Sequence, residues 1–284
     1  VLFTTLILLF VVIGWVIGGL LFNNWIFGVV VFLVIAGAFN IISYFYSDRI
    51  ILRAYRARIV SKEEEPKLHR IVQNICLKGD LPMPKIAIVN NPTPNAFATG
   101  RNKNRAVVAA TTGLLNLMKD DELEGVLAHE MAHVKDKDIL VMSVSATIAG
   151  AISFAARMLW FNMIFGRRGG QSQGDAILIL IVMVTVPIAA MLTHLAISRS
   201  REYKADREGA LMIQRPLALA RALGKLEEAN KRRPINTGNP ASSSLFIVNP
   251  FRGGSLVKLF STHPPIEERI NRLEQLSQEI GMVG

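Results

Sequence analysis

The chain has a single cysteine, Cys76, in 284 residues, so no disulfide can form within it. This fits a reducing compartment, and Cys76 reads as a small core residue rather than a nucleophile. Charge is missing from whole stretches. Residues 1–22, 25–47 and 176–197 hold no Lys, Arg, Asp or Glu, and 139–165 hold only Arg157. A channel or transporter pathway needs ionisable groups inside its spans, so this scarcity argues against both. No run of small residues suited to signal cleavage follows the first stretch, and a second apolar run comes directly after it, which excludes a signal peptide. Because the chain begins at Val1, residues are expected to precede it. Acidic residues are the scarcer sign, 22 against 32 basic, for a formal net charge of +10. No basic stripe with interleaved aromatics accompanies the excess, so no nucleic acid is expected as a partner. Much of the excess flanks the apolar runs, where anionic head groups attract it.

What is present follows from those runs. About 20 apolar residues cross the hydrocarbon core of a bilayer, so the four segments read as four spans in two hairpins. The first, 1–47, turns at Asn23-Asn24. The second, 139–197, has a Gly-rich tip at 166–175 and a kink at Pro187. Arg49, Arg53, Arg56 and Arg58 follow the second span, Lys135 and Lys137 precede the third, and Arg199, Arg201, Lys204 and Arg207 follow the fourth. The opposite side offers only Arg167 and Arg168 in a loop, with Arg157 able to snorkel toward it. The larger positive cluster marks the cytoplasmic side. Segments 48–138 and 198–284 are therefore expected to face the cytoplasm together, and the bilayer is an expected partner.

Segment 48–138 predicts a helix over 63–78, apolar at Leu68, Ile71, Val72, Ile75 and Cys76. Short strands are predicted over Lys85–Val89, Asn95–Thr99 and Arg105–Thr111. Asp121 with Glu124 three residues on resembles a capping box, which starts a helix near Asp120 and carries it to about Lys135. On that helix lies His129-Glu130-Met131-Ala132-His133. Two imidazoles four residues apart share one face and reach one ion, while the intervening glutamate, about 100° round the helix, is set to touch a water.

A hydrolytic zinc site keeps three protein ligands and an open position. The residues after His133, VKDKDILVM, contain neither a further His nor a Gly, so the ligand is not local. The next carboxylates lie in SRSREYKADREGA, 198–210, after the fourth span. Glu202 is read as the third ligand. Asp206, one turn on, is read as the acceptor that fixes the tautomer of a ligating imidazole. Two spans separate His133 from Glu202, and an even number returns the chain to the same side. The fold class expected is α+β: a four-span helical membrane protein whose mostly helical, zincin-type catalytic domain carries a small sheet.

His129-Glu130-x-x-His133, two apolar spans, then Arg201-Glu202-x-x-x-Asp206 resembles the HtpX membrane metalloproteases, bacterial and archaeal relatives of the Ste-type CAAX proteases. The resemblance extends to the first hairpin, to Pro94-Asn95-Ala96-Phe97-Ala98-Thr99-Gly100, and to Ser261-Thr262-His263-Pro264-Pro265 with Arg269. It implies a zinc endopeptidase in the plasma membrane of a bacterium or archaeon, using one Zn2+. It implies a cytoplasmic active site, membrane proteins among its substrates and a role in membrane-protein quality control under stress. In that frame Glu130 is the general base, and His263 or Arg269 stabilises the oxyanion. The residue pattern also allows His263 as a helix cap and Arg269 as a surface charge. Asn95, Ala96 and Phe97 begin either an edge strand that pairs with substrate or a core strand. Segment 230–255, rich in Pro, Gly, Asn and Ser, is expected to gate access, with Leu245–Val248 touching membrane or substrate. A CAAX-type protease and an inactive zinc-binding adaptor are the alternatives; the intact Glu130 speaks against the adaptor.

Overall fold

A long helix, α1 (Trp25–Ala54), begins just after Asn24, whose side-chain Oδ1 accepts the Phe27 N–H at 3.1 Å and so caps it. Its 30 residues reach about 45 Å,. The computed structural model describes residues 24–100, 102–138, 195–232 and 263–283, with positions 11, 14, 15, 18, 19 and 192. Among the described residues no helix is both long and apolar enough to cross a membrane. The segments read as the first, third and fourth spans lie almost wholly outside those residues, as do the 166–175 tip and the gating segment beyond Arg232. The chain divides into two units, Val1–Phe45 with Leu140–Ile197, and Tyr46–Ile139 with Ser198–Gly284.

In the second unit a two-residue strand β1 (Arg58–Ile59) leads into α2 (Pro66–Gly79). Pro66 sits where a missing N–H costs nothing, and the five apolar positions named above are buried. Asp80 ends the helix in the left-handed conformation (φ 51°), its N–H returned to the Cys76 carbonyl. The strands β2 (Lys85–Val89), β3 (Ala96–Thr99) and β4 (Val107–Thr111) complete a mixed sheet in the order β1-β2-β4-β3. β2 and β4 are parallel, and β3 pairs antiparallel with β4. β1 had no sequence signature. β3 starts one residue later than expected, because Asn95 spends its N–H on the Thr111 hydroxyl.

The pleat sorts β3 by face. Ala96 and Ala98 join the main core with the helices, while Phe97 joins Ala87, Val89, Val107 and Ala109 on the other face. There Phe97 lies 5.1 Å from the Tyr55 ring, just beyond the end of α1. The Phe97 ring is therefore part of the core, and β3 has only its main chain to offer along its edge.

Helix α3 (Thr112–Leu117) is capped by Thr111. Helix α4 (Asp120–Lys135) carries the His-Glu-x-x-His residues. Its first residue is Asp120, so the cap position is Lys119, and it is Glu122, not Glu124, that returns to the cap, accepting the Lys119 N–H at 2.9 Å. Glu124 pairs instead with Lys78 and Arg215, and Asp121 with Arg221. Among the described residues three further helices follow: α5 over 195–213, α6 (Pro216–Arg232) and α7 (Ile266–Val283). Pro264 and Pro265 directly precede α7.

Candidate metal centre

Helix α4 is buried along most of its length, and its crossing with α5 is close. A Cβ on Gly209 would lie 2.8 Å from the His129 backbone nitrogen and 2.9 Å from the Ala128 carbonyl. Neither backbone atom can give way. Gly209 thus sets the helix separation at the point where α5 delivers Glu202 and Asp206 to α4. Gly209→Ala is expected to cost about 1–3 kcal/mol of stability through overpacking and to loosen metal binding. Gly224→Ala, in α6, meets only Ile270 Cδ1 at 3.9 Å and is expected to gain about 0.5–1 kcal/mol. Thermal unfolding with metal titration of the two variants checks the contrast.

Across that crossing, His129, His133 and Glu202 each bring one ligand atom to a common point, all within 4.8 Å of one another. The two Nε2 atoms are 3.2 Å apart. Glu202 lies 3.7 Å from His129 Nε2 through Oε2 and 3.5 Å from His133 Nε2 through Oε1. Asp138 Oδ2 is 2.8 Å from His133 Nδ1, and Asp206 Oδ1 is 3.0 Å from His129 Nδ1. Each carboxylate assigns its imidazole proton to Nδ1, which leaves two Nε2 lone pairs facing one another. A cation between them removes that repulsion. Ligands about 2.0–2.1 Å from a tetrahedral zinc stand roughly 3.3 Å apart, so the three residues fit the ion.

The electrostatics point the same way. Burial works against a charged His133, but Glu202 outweighs it and raises the imidazole above its ordinary value. Burial would raise Glu202 too, yet His263, His133 and Arg269 hold it well below the usual carboxylate range. The site thus keeps its acid ionised and draws positive charge.

Glu130 is 6% exposed and takes no part in the ligand cluster. Its Oε2 accepts the Ala98 N–H of β3 at 2.9 Å. Burial raises its carboxyl above the ordinary value, against the opposing pull of His129 and His133. A buried carboxylate held beside the ligands, with heightened affinity for a proton, is suited to general-base work.

Asn95, Ala96 and Phe97 are all buried, and β3 is the last strand in the sheet order on this side. His263 Nδ1 lies 3.1 Å from Glu202 Oε2. Arg269 is not the surface charge that the residue pattern allowed. It is fully buried, its Nε and Nη2 donate to the two Asp206 oxygens at 2.7 Å each, and Nη1 lies 3.2 Å from Glu202 Oε2. Its three nitrogens are directed at the carboxylates of α5. The sequence gives no role to Asp138, Gly209 or the Ala98 N–H, and it names Arg201 only as a neighbour of Glu202 in the motif. Asp138 leaves a signal there as an acid within reach of a helix end that carries a ligand.

Residues 62–277 match the model of peptidase family M48. The chain is 48% identical over 279 residues to a "Protease HtpX homolog" of Pyrococcus furiosus, covering 97% of this chain and 93% of that protein. A protein of the same name from Pyrococcus abyssi is 49% identical over 287 residues, covering 100% and 96%. One from Syntrophotalea carbinolica is 51% identical over 247 residues, covering 86% and 88%. Among solved structures the chain is similar to S. mikatae Ste24p, with a TM-score of 0.58 at 18% identity. That match covers 93% of this chain but spans only 62% of the Ste24p chain, and at this identity it speaks for the fold alone.

Proposed function

The chain belongs to peptidase family M48, among its HtpX-type metalloproteases, and from that premise we propose that it is a zinc-dependent endopeptidase of the cell membrane. It acts at the cytoplasmic face on membrane or misfolded proteins, as a quality-control protease. The observation that carries the zinc reading is the pair of opposed Nε2 atoms at 3.2 Å with Glu202 beside them. His129, His133 and Glu202 would hold one ion, which when bound supplies a Lewis acid for the scissile carbonyl and lowers the pKa of a water. The membrane assignment is supported by four uncharged or nearly uncharged segments in the sequence and by HtpX relatives that match nearly end to end.

The chain's own groups do the rest. Glu130 accepts the proton of the attacking water and carries it to the leaving amine. The Ala98 N–H steers the Glu130 carboxylate from β3. Asp206 orients His129, and Arg269 holds Asp206 and Glu202 in place. His263, beside Glu202 from the segment before α7, is the group placed to meet negative charge that develops on the substrate carbonyl oxygen,. An extended peptide lies along the outward edge of β3, where Ala96 offers main-chain groups.

The test is metal removal. The full-length chain in detergent is expected to cleave casein, to lose that activity on dialysis against a chelator, and to recover it with one equivalent of zinc. Cleavage that survives complete metal removal would sink the proposal.

A further inference from the structure

Asp138 follows the end of α4 through an abrupt reversal. Asp136 stays in the right-handed region (φ −83°, ψ −2°), and Lys137 turns left-handed at φ 58°. The reversal swings Asp138 back beneath the helix it has just left. There it is buried, 3% exposed, with Oδ2 2.8 Å from His133 Nδ1. A lone buried carboxylate is costly unless it is paired. Its partner comes from the other half of the site: Arg201, the residue before Glu202, pairs with Asp138 Oδ1. The same guanidinium donates through Nη2 to the Asp136 carbonyl at 3.1 Å, and Lys204 adds a contact to Asp136 Oδ2 at 2.6 Å.

We propose that Asp138 and Arg201 form a clasp that orients His133 and holds the two halves of the metal site together. Asp138 fixes the His133 ring by its Nδ1 proton, and Arg201 fixes Asp138 from the helix that carries Glu202. The ligand on α4 and the ligand on α5 are thereby tied through two side chains that touch neither substrate nor metal, so both are positioning residues. His129 is oriented from α5 directly, by Asp206. His133 has no such acid on α5 and reaches it through the clasp. The inference rests on His133 being a metal ligand.

The test is metal affinity, measured on the full chain in detergent by chelator competition with zinc and by the visible spectrum of the cobalt form. Asp138→Asn is expected to weaken metal binding about 10–100-fold, the usual consequence of losing such a partner, and to alter the cobalt band. Arg201→Met is expected to do the same. Joined in one chain, the two substitutions should cost no more than the larger alone, and Arg201→Lys should recover part of the affinity. Arg201 is partly exposed, so Arg201→Met carries the test if Asp138→Asn does not fold. The clasp is overturned if both single variants keep wild-type affinity and band while only thermal stability falls, or if their losses simply add. His133→Ala serves as the reference: unchanged metal affinity in that variant overturns the metal reading itself, and the clasp with it.

Discussion

Replacing Glu130 with glutamine is expected to lower kcat by about 10²–10⁴-fold, the range for loss of a general acid–base, while the protein keeps its full complement of metal. Glutamine matches glutamate in shape and can still accept the Ala98 N–H through its amide oxygen. It cannot take a proton from water. The ligand cluster of His129, His133 and Glu202 does not include residue 130, so metal content should not change. The two quantities must be measured on one sample. Full turnover at full metal content would remove Glu130 from the mechanism. Lost turnover together with lost metal would reassign it to holding the site. The same variant tests the adaptor alternative, since a protein that only binds zinc has no turnover to lose.

The second large effect concerns Arg269. Arg269→Met should destabilise the fold by about 3–5 kcal/mol, the usual cost of breaking a buried ion pair from one side. It leaves Asp206 and Glu202 as neighbouring buried carboxylates without their shared cation. If Arg269 acts instead on the oxyanion, the variant loses turnover and keeps its melting temperature. The pH dependence separates the two further. Burial pushes the Asp206 carboxyl up, but Arg269 and His129 outweigh it and hold it below its ordinary value. A depressed carboxyl contributes its stability fully above the unfolded value, near 3.9, and loses it as pH falls through the lower folded value. The gap in stability between wild type and Arg269→Met should therefore be widest at neutral pH and shrink below about pH 4. A gap that does not change with pH would mean that Arg269 packs rather than pairs.

The metal ligands were legible because their chemistry is periodic and sparse. The chain has five histidines, and two of them fall on one helical face with a glutamate between. With no ligand nearby, the search passed to a later acid, and in the structure Glu202 lies beside both rings. The helix carrying them is equally plain: it runs Asp120–Lys135 as expected, although the capping partner is Glu122 and not Glu124. What the sequence hid depends on geometry between distant residues. Asp138 is an ordinary acid after a helix until the left-handed Lys137 folds it back. Arg269 sits among Glu267, Glu268 and Arg272 in a helix that looks solvated, and only the tertiary packing of α7, with the α5 carboxylates at its guanidinium, buries it. The strand pattern marks β3 but not which face of it meets the catalytic helix: Ala96 and Ala98 do, and the Phe97 ring packs on the opposite side. A two-residue strand such as β1 has no periodicity to read.

The order of the site's parts along the chain also sets an order in time. His133 leaves the ribosome with the sheet and α2–α4 already made, but Asp206 and Arg269 are encoded much later. At about 5–20 residues per second, the stretch from His133 to Arg269 takes roughly 7–27 s to synthesise. A nascent chain therefore holds the two imidazoles of the site well before it holds Glu202, Asp206 and the Arg269 that ties them.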